Sequence, residues 1–458
     1  MRDMQALRSD DVDWRSGRAW SLMYYVDAAH QEKIEAAYQQ FFSENFVSPV
    51  TFASLQRMER DVVDWSADML NAPEGYAGLL TSGGSESIFL VVWAAREAAR
   101  RRGIRKPELV LPVTGHPAFR KAASIVGMRI RTLAVDSRQI ARPDRLPGLL
   151  NRKTALVVGS APSYPHGVLD PIPEMAKLAR AKGIPFHVDA CVGGFMLPWV
   201  EALGHTLEPW DFRVAGVTSI SADVHKFGYG AKGCSLLLHR NDRLLKQHLY
   251  VQTDWPGGIY ATAGLAGTRP GGAIAAAWAS LRGLGHSGFL ATAETNLKAA
   301  AYLRSQLENI PDIEIVGTPC MNIMAYRTRD NEPDLFILAD FLEERGWQVD
   351  RQHKPLCLHL TVMKHHQQAL DTYIRDVREG LAFAKKQPER SEQGTAALYG
   401  LMARLPAGGM IRQQVRQLIR SWYVEGEGSR EETIPEIPSW QGRLNRLLLR
   451  INQWWQKR

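Results

Sequence analysis

Apolar residues arrive in short dense runs through the middle of the chain, at Leu109–Leu111, Ile130–Val135, Ala155–Gly159, Pro185–Val188, Gly216–Ile220 and Ser235–His239. Runs of this length without polar alternation read as strands buried on both faces. Between and before them the period changes. Ala118–Val126 and Ile172–Ala181 repeat apolar residues at helical spacing, and Ser85–Arg102 does so until Gly103 stops it. A further amphipathic helix starts near Thr51 and continues through Met58, Val62, Val63 and Trp65. Strands alternating with helices predict an α/β domain whose mostly parallel sheet is covered on both faces. After Gly288 the pattern restarts. A helix at Leu290–Leu307, strands near Ile313–Val316 and Ile323–Tyr326, a helix at Leu335–Arg345, a strand at Leu356–Val362 and a helix at Gln367–Ala384 predict a smaller α+β domain. The expected division is an aromatic-rich amino-terminal segment (1–60), a large domain (61–287), a small domain (288–428) and a tail (429–458).

A length of 458 residues leaves room for two or three such cores, and 45% hydrophobic with 23% charged residues is ordinary for a soluble protein. Cys191, Cys234, Cys320 and Cys357 are scattered, which suits reduced thiols rather than a disulfide framework or zinc site. No apolar signal core opens the chain and no run reaches the roughly 18 residues of a membrane span, so a cytoplasmic location is expected. The net charge of +8 suggests an anionic partner, but no nucleic-acid module is present. Part of the excess sits at 439–458, which holds five Lys/Arg and no acid. There Trp440, Leu444, Leu447, Leu448, Ile451, Trp454 and Trp455 share one helical arc, with Arg443, Arg446, Arg450 and Lys457 on another. Such a helix either lies on an anionic membrane surface or packs against the body of the protein or a dimer partner.

Chemistry concentrates in Ser219–Ser235, where Lys226 follows a histidine in a glycine-containing loop between two strands. A lysine desolvated in such a turn has a lowered pKa and attacks carbonyls, most often the aldehyde of pyridoxal phosphate; a solvated surface lysine is the plainer alternative. Gly228, Gly230 and Gly233 fit G-x-G-x-x-G, but a strand follows them where a dinucleotide site needs a helix. Four other features complete the pattern. Thr81–Ser87, with Gly83, Gly84 and Ser85, opens a helix and offers backbone N–H groups to a phosphate. Asp189 ends a buried strand 37 residues before Lys226 (226 − 189) and suits a pyridine nitrogen. His116 occupies a strand-end loop from which an imidazole can stack on a ring and pass protons. Gly267–Gly272 is an anion-friendly turn suited to closing the phosphate site, across a subunit boundary if need be. His353, His359, His365 and His366 have no convincing metal-ligand spacing.

The strings Thr81-Ser-Gly-Gly-Ser-Glu-Ser, Gly159-Ser-Ala-Pro-Ser-Tyr-Pro-His-Gly, His187-Val-Asp-Ala-Cys, Ser221-Ala-Asp-Val-His-Lys-Phe-Gly and Gly267-Thr-Arg-Pro-Gly resemble fold-type I pyridoxal phosphate enzymes. Within them they are most similar to the sphingosine-1-phosphate lyase branch of the group II decarboxylases. That resemblance implies Lys226 as the Schiff-base lysine, Asp189 as the ring-nitrogen partner and His116 as the stacking histidine. It implies Gly83, Gly84, Ser85, His225 and Thr268 around the phosphate, with Thr268 from the other subunit of a homodimer. Tyr164 and Lys232 match substrate-facing positions, Lys232 as a charge for a substrate phosphate. The family's Asn-Pro-Leu-His-Pro is Asn45-Phe-Val-Ser-Pro here, so Ser48 stands where a phosphate-contacting histidine is usual, with Asn45 beside it. Its Ser-Gly-x-x-Tyr is Ser16-Gly-Arg-Ala-Trp20, which puts Trp20 in the place of the active tyrosine and leaves Tyr24 or Tyr25 to replace it. The implied reaction is retro-aldol cleavage of a phosphorylated long-chain amino alcohol to an aldehyde and phosphoethanolamine; amino-acid decarboxylation is the alternative.

Overall fold

The computed structural model describes residues 4, 6–9, 11–47, 50–392 and 408–424; Ser48 and the basic tail at 439–458 lie outside them. The six central apolar runs are strands: β2 (Glu108–Pro112), β3 (Arg129–Leu133), β4 (Thr154–Ser160), β5 (Phe186–Asp189), β6 (Val217–Ala222) and β7 (Ser235–His239). They join β1 (Ala77–Thr81) in a seven-stranded sheet of order β1-β7-β6-β5-β4-β2-β3. Only β7 runs antiparallel to its neighbours. β4 and β7 are buried at every position, as their unbroken apolar runs require. β1 escapes a periodicity reading because it is short and carries a glycine, Gly78, at its second position. A Cβ there would lie 2.5 Å from Leu238 and 2.9 Å from Val63, so glycine lets helix Ala53–Met69 close over the sheet edge.

Past β7 two elements appear that hydrophobic pattern did not disclose, β8 (Tyr250–Trp255) and β9 (Gly258–Thr262). They form an isolated hairpin with Tyr250, Val251, Trp255, Ile259 and Tyr260 exposed. A strand pair apolar on its open faces shows no buried-against-polar alternation to read. Helix Gly271–Glu308 follows, bent at Gly285 (φ 55°), so the helix expected from Leu290 is the second half of a longer one. The second sheet is antiparallel, in the order β10 (Ile313–Ile315), β11 (Ile323–Thr328), β13 (Leu356–Thr361), β12 (Asp350–His353), with helices Leu335–Glu344 and Leu370–Lys386 packed beside it. β12 reads Asp-Arg-Gln-His and carries no apolar signal.

Trp20 belongs to this second core. It is wholly buried, stacked 4.5 Å from His366 and 5.8 Å from Trp347, with Tyr373 at 4.6 Å. The amino-terminal segment therefore crosses the small domain before reaching the large one. Helix Ala28–Gln40, with Asp27 capping it at the amide of His30, then packs on the start of helix Gly271–Glu308.

Candidate active site

The carboxyl ends of β1, β4, β5 and β6 converge, where open α/β sheets bind ligands. A cavity of about 410 Å³ opens there, lined by Ser82–Glu86, His116, Ser160, Tyr164, Asp189, Asp223, His225 and Lys226, among others. The structure thus gathers Lys226, Asp189, His116, Tyr164, Gly83, Gly84, Ser85 and His225 into one place from segments up to 143 residues apart (226 − 83).

Each is positioned for a local reason. Lys226 sits in a turn whose backbone N–H donates to the Asp223 carbonyl at 3.1 Å. Its Nζ lies 2.9 Å from Asp223 Oδ2. Burial of the amine is the largest single influence and lowers its pKa, but the Asp223 carboxylate, with Tyr24 and Cys191 behind it, together outweighs burial, and the pKa ends well above lysine's ordinary value. The expectation of a depressed lysine is therefore corrected: the free amine is an ammonium. Asp189 ends β5, buried, with one oxygen accepting the Cys191 amide at 3.2 Å. His116 caps helix Pro117–Val126, its Nδ1 accepting the Ala118 amide at 3.2 Å, which leaves Nε2 as the proton-bearing nitrogen of the neutral ring. Tyr164 donates to Asp350 at 3.3 Å and lies against His359, with ring centroids 4.3 Å apart.

The turn before helix Gly84–Arg101 is braced by Glu86, which accepts from the Ser82 amide and hydroxyl at 2.7 and 2.6 Å and from the Leu265 amide at 2.8 Å. Gly84 is obligatory. A Cβ would stand 2.7 Å and 2.8 Å from the Asp223 carboxylate oxygens and 2.8 Å from Cys191 Sγ. His225 Nδ1 is buried without a partner beside this turn, a donor or acceptor held ready at a helix amino terminus where anions bind.

Other residues are placed differently. Lys232 donates from Nζ to the His225 carbonyl at 3.1 Å and lies 5.1 Å over the Tyr24 ring. Both line an adjacent cavity of about 350 Å³ with Tyr38, Gly230 and Ala231. Tyr24 packs edge-on to Phe227 at 5.0 Å. Desolvation raises its pKa to about 12 against the pull of Lys226, so it is a protonated phenol facing the Lys226–Asp223 pair. Tyr25 contacts Trp14 and His365 instead. Of the three aromatic candidates, Tyr24 is at the site and Trp20 is core. Asn45 and Thr268 meet each other at 3.3 Å and do not line the Lys226 cavity of their own chain. Asp223, Asp350, Ser160 and Glu86 were not singled out from sequence. The offset of three between Asp223 and Lys226, both ends of one turn, was the available signal for the first.

A profile of the pyridoxal-dependent decarboxylase conserved domain matches residues 40–329. This chain belongs to the pyridoxal-dependent decarboxylase family. Its cofactor is pyridoxal phosphate, and the cavity fits it, with an amine, a carboxylate on β5, a capped imidazole and a glycine cradle with an unpartnered imidazole nitrogen. Within the family the chain is 39% identical over 396 residues to sphingosine-1-phosphate lyase 1 of Rattus norvegicus, covering 86% of this chain and 69% of that one. The structure of a Burkholderia pseudomallei sphingosine-1-phosphate lyase superposes with a TM-score of 0.84 at 33% identity, over 93% and 94% of the two chains. A Lactobacillus brevis glutamate decarboxylase shares the fold, with a TM-score of 0.75 at 19% identity over 84% and 92%. The model of chemistry for this family member is thus a pyridoxal-phosphate-dependent lyase.

Gly84→Ala is expected to weaken cofactor binding about tenfold or more, since overpacking a fixed site costs on the order of 1–3 kcal/mol. Absorbance titration of stripped protein with pyridoxal phosphate reads it; an unchanged affinity would show that Asp223 and Cys191 yield.

Proposed function

We propose that the protein is a carbon–carbon lyase that cleaves a phosphorylated long-chain amino alcohol, a sphingoid base 1-phosphate, to a fatty aldehyde and phosphoethanolamine. The observation that carries this reading is the shared cavity of Lys226, Asp189 and Tyr164 in a chain similar over 86% and 93% of its own length to two sphingosine-1-phosphate lyases. Bound pyridoxal phosphate supplies an electron sink for the carbon that bears the substrate amine. Asp189 holds a negative charge at the cavity wall, and Gly83, Gly84, Ser85 and His225 hold an anion. His116 presents a flat ring at the mouth. Tyr164 takes the proton of the substrate hydroxyl at its Oη while its own proton passes to Asp350 Oδ2, 3.3 Å away. Tyr24 donates a hydrogen bond from the side of the adjacent cavity, beside Lys232, whose ammonium attracts the substrate phosphate.

A second copy of the chain completes the site. The exposed hairpin β8–β9 leads directly into Gly267–Pro270, which supports its packing on a partner and the delivery of Thr268 to the partner's cofactor phosphate. Asn45 bonds Thr268 and travels with it.

The experiment is a substrate panel, with dihydrosphingosine phosphate and aromatic amino acids incubated separately. Aldehyde from the first and no carbon dioxide from the second is expected; the reverse would make the protein a decarboxylase. Lys232 adds a pH signature. Desolvation of its amine and the neighbouring charge of Lys226 lower its pKa to about 8. The ammonium is therefore present below that pH and lost above it, so KM for the phosphorylated substrate should rise as pH passes about 8. Lys232→Gln should raise KM about 10- to 100-fold, the worth of one charged hydrogen bond, and flatten that rise.

A further inference from the structure

Asp223 is buried to 3% exposure and binds more than Lys226. Its Oδ1 accepts from Ser235 Oγ at 2.6 Å. Ser235 Oγ in turn lies 3.2 Å from Ser87 Oγ, and Ser87 Oγ lies 2.7 Å from Thr81 Oγ1. All three hydroxyls are buried. Ser235 gives its proton to the carboxylate, so its lone pairs are free to accept from Ser87, and Ser87 can accept from Thr81; in the other rotamers Ser87 donates to the Leu236 carbonyl at 3.4 Å and Thr81 to the Gly83 carbonyl at 3.2 Å. With the chain aligned, three dipoles point at one carboxylate and reinforce one another. The chain spans β1, the first turn of helix Gly84–Arg101, β7 and the loop of Lys226, so four separate elements are committed to it.

We propose that Asp223, held ionised by the Thr81–Ser87–Ser235 hydroxyl chain, is the proton partner of Lys226 and makes the released lysine an acid rather than a base. This rests on the lyase reading above only for its place in the reaction. When the substrate amine takes the place of the lysine amine, Lys226 leaves as an ammonium on Asp223 Oδ2. Cleavage moves the substrate hydroxyl proton to the Tyr164–Asp350 pair, and the carbon left bearing the amine must gain one proton. Lys226 Nζ supplies it, becoming neutral and fit to reclaim the cofactor. The extra proton on Lys226 is the one the substrate ammonium gives up on entry, and the proton held by Tyr164–Asp350 passes to the departing product amine, so the sequence balances without any outside acid. Asp223 is a positioning residue, acting through Lys226. Asp223 lowers its own pKa below the ordinary carboxylate value despite the cost of burial, through Lys226, then His225, then Ser235. The other titratable groups facing the pair are Tyr24, Tyr164, Cys191, Cys234, Lys232 and His116, with His225 Nε2 3.6 Å from Asp223 Oδ2 and Asp189 lining the same cavity.

The test does not use the substrate. Full-length protein stripped of cofactor is labelled with acetic anhydride across roughly pH 7 to 11, the span of ordinary amine titration, and acetylation of Lys226 is followed by mass spectrometry. In Asp223→Asn the labelling profile should move to lower pH by about one unit or more, giving about tenfold more label near pH 9. Ser235→Ala should move it the same way by less, roughly two- to threefold at that pH. In holoenzyme, the pH midpoint of the cofactor's absorbance should shift downward in both variants. If Asp223→Asn does not fold, Ser235→Ala decides the matter alone. Identical labelling profiles in wild type and Ser235→Ala, or in wild type and folded Asp223→Asn, would overturn the proposal. A protein that fails on dihydrosphingosine phosphate yet shows these shifts would sink the substrate reading and leave this one standing.

Discussion

Lys226→Ala is expected to remove the cofactor's imine absorbance and lower turnover by about three orders of magnitude or more. The size follows from the work that one amine does: it forms the covalent link, and without it every substrate molecule must find a non-covalently held cofactor. A solvated lysine in the same loop would give no such loss, and intact absorbance in the variant would return the loop to that reading. The variant also has a stability signature. Asp223 stays buried, still bound to Ser235 but without its ammonium, at a cost on the order of 1–3 kcal/mol. In the wild type Asp223 has a lowered pKa. Its contribution is therefore present above the ordinary carboxylate pKa and lost as pH falls through the folded value. The gap in Tm between wild type and Lys226→Ala should be full near neutrality and should close on acidification. Lys226→Met separates the effects, since it restores bulk without charge and should lose activity equally.

The chemistry of the large domain was legible because the residues that hold an anion or an imine sit at strand ends, and those strands are long apolar runs. β4, β5 and β6 announce themselves, and the residues after them line the site. What stayed hidden follows from the same physics. Asp223 reads as an ordinary turn aspartate, and only the fold brings Ser235 and Ser87 against it. Asp350 lies on a polar strand of the small domain and reaches Tyr164 across 186 residues of sequence. Glu86, four residues after Ser82, has the spacing of a capping interaction, which hinted at a braced turn without showing that Leu265 shares it. The lysine's protonation was misread because burial and ion pairing oppose each other, and sequence reveals only that burial is plausible.

The amino-terminal segment gives the second large effect, because there spacing and structure point to different residues. Counting from Ser16-Gly17 leads to Trp20; the fold puts Tyr24 opposite Lys226 and Asp223 and threads Trp20 into the small domain. The segment between is irregular, so no periodicity fixes its register. Tyr24→Phe removes one hydroxyl from a phenol that stays protonated at working pH. Turnover should fall about 10- to 100-fold, with little change in Tm. Tyr25→Phe should leave kinetics unchanged, as that ring packs edge-on to Trp14 and His365 and does not line the Lys226 cavity. Trp20→Ala should do the opposite of Tyr24→Phe. It empties a fully buried site stacked on His366 and Trp347, at a cost of about 3–5 kcal/mol, while the surviving folded fraction turns over normally. Trp20→Phe should be milder, since the Trp20 indole nitrogen has no partner to lose. Circular dichroism melts beside steady-state kinetics at a temperature where all variants are folded would read both axes at once. A fall in turnover for Trp20→Phe matching that of Tyr24→Phe would mean that the indole, not the phenol, meets the substrate.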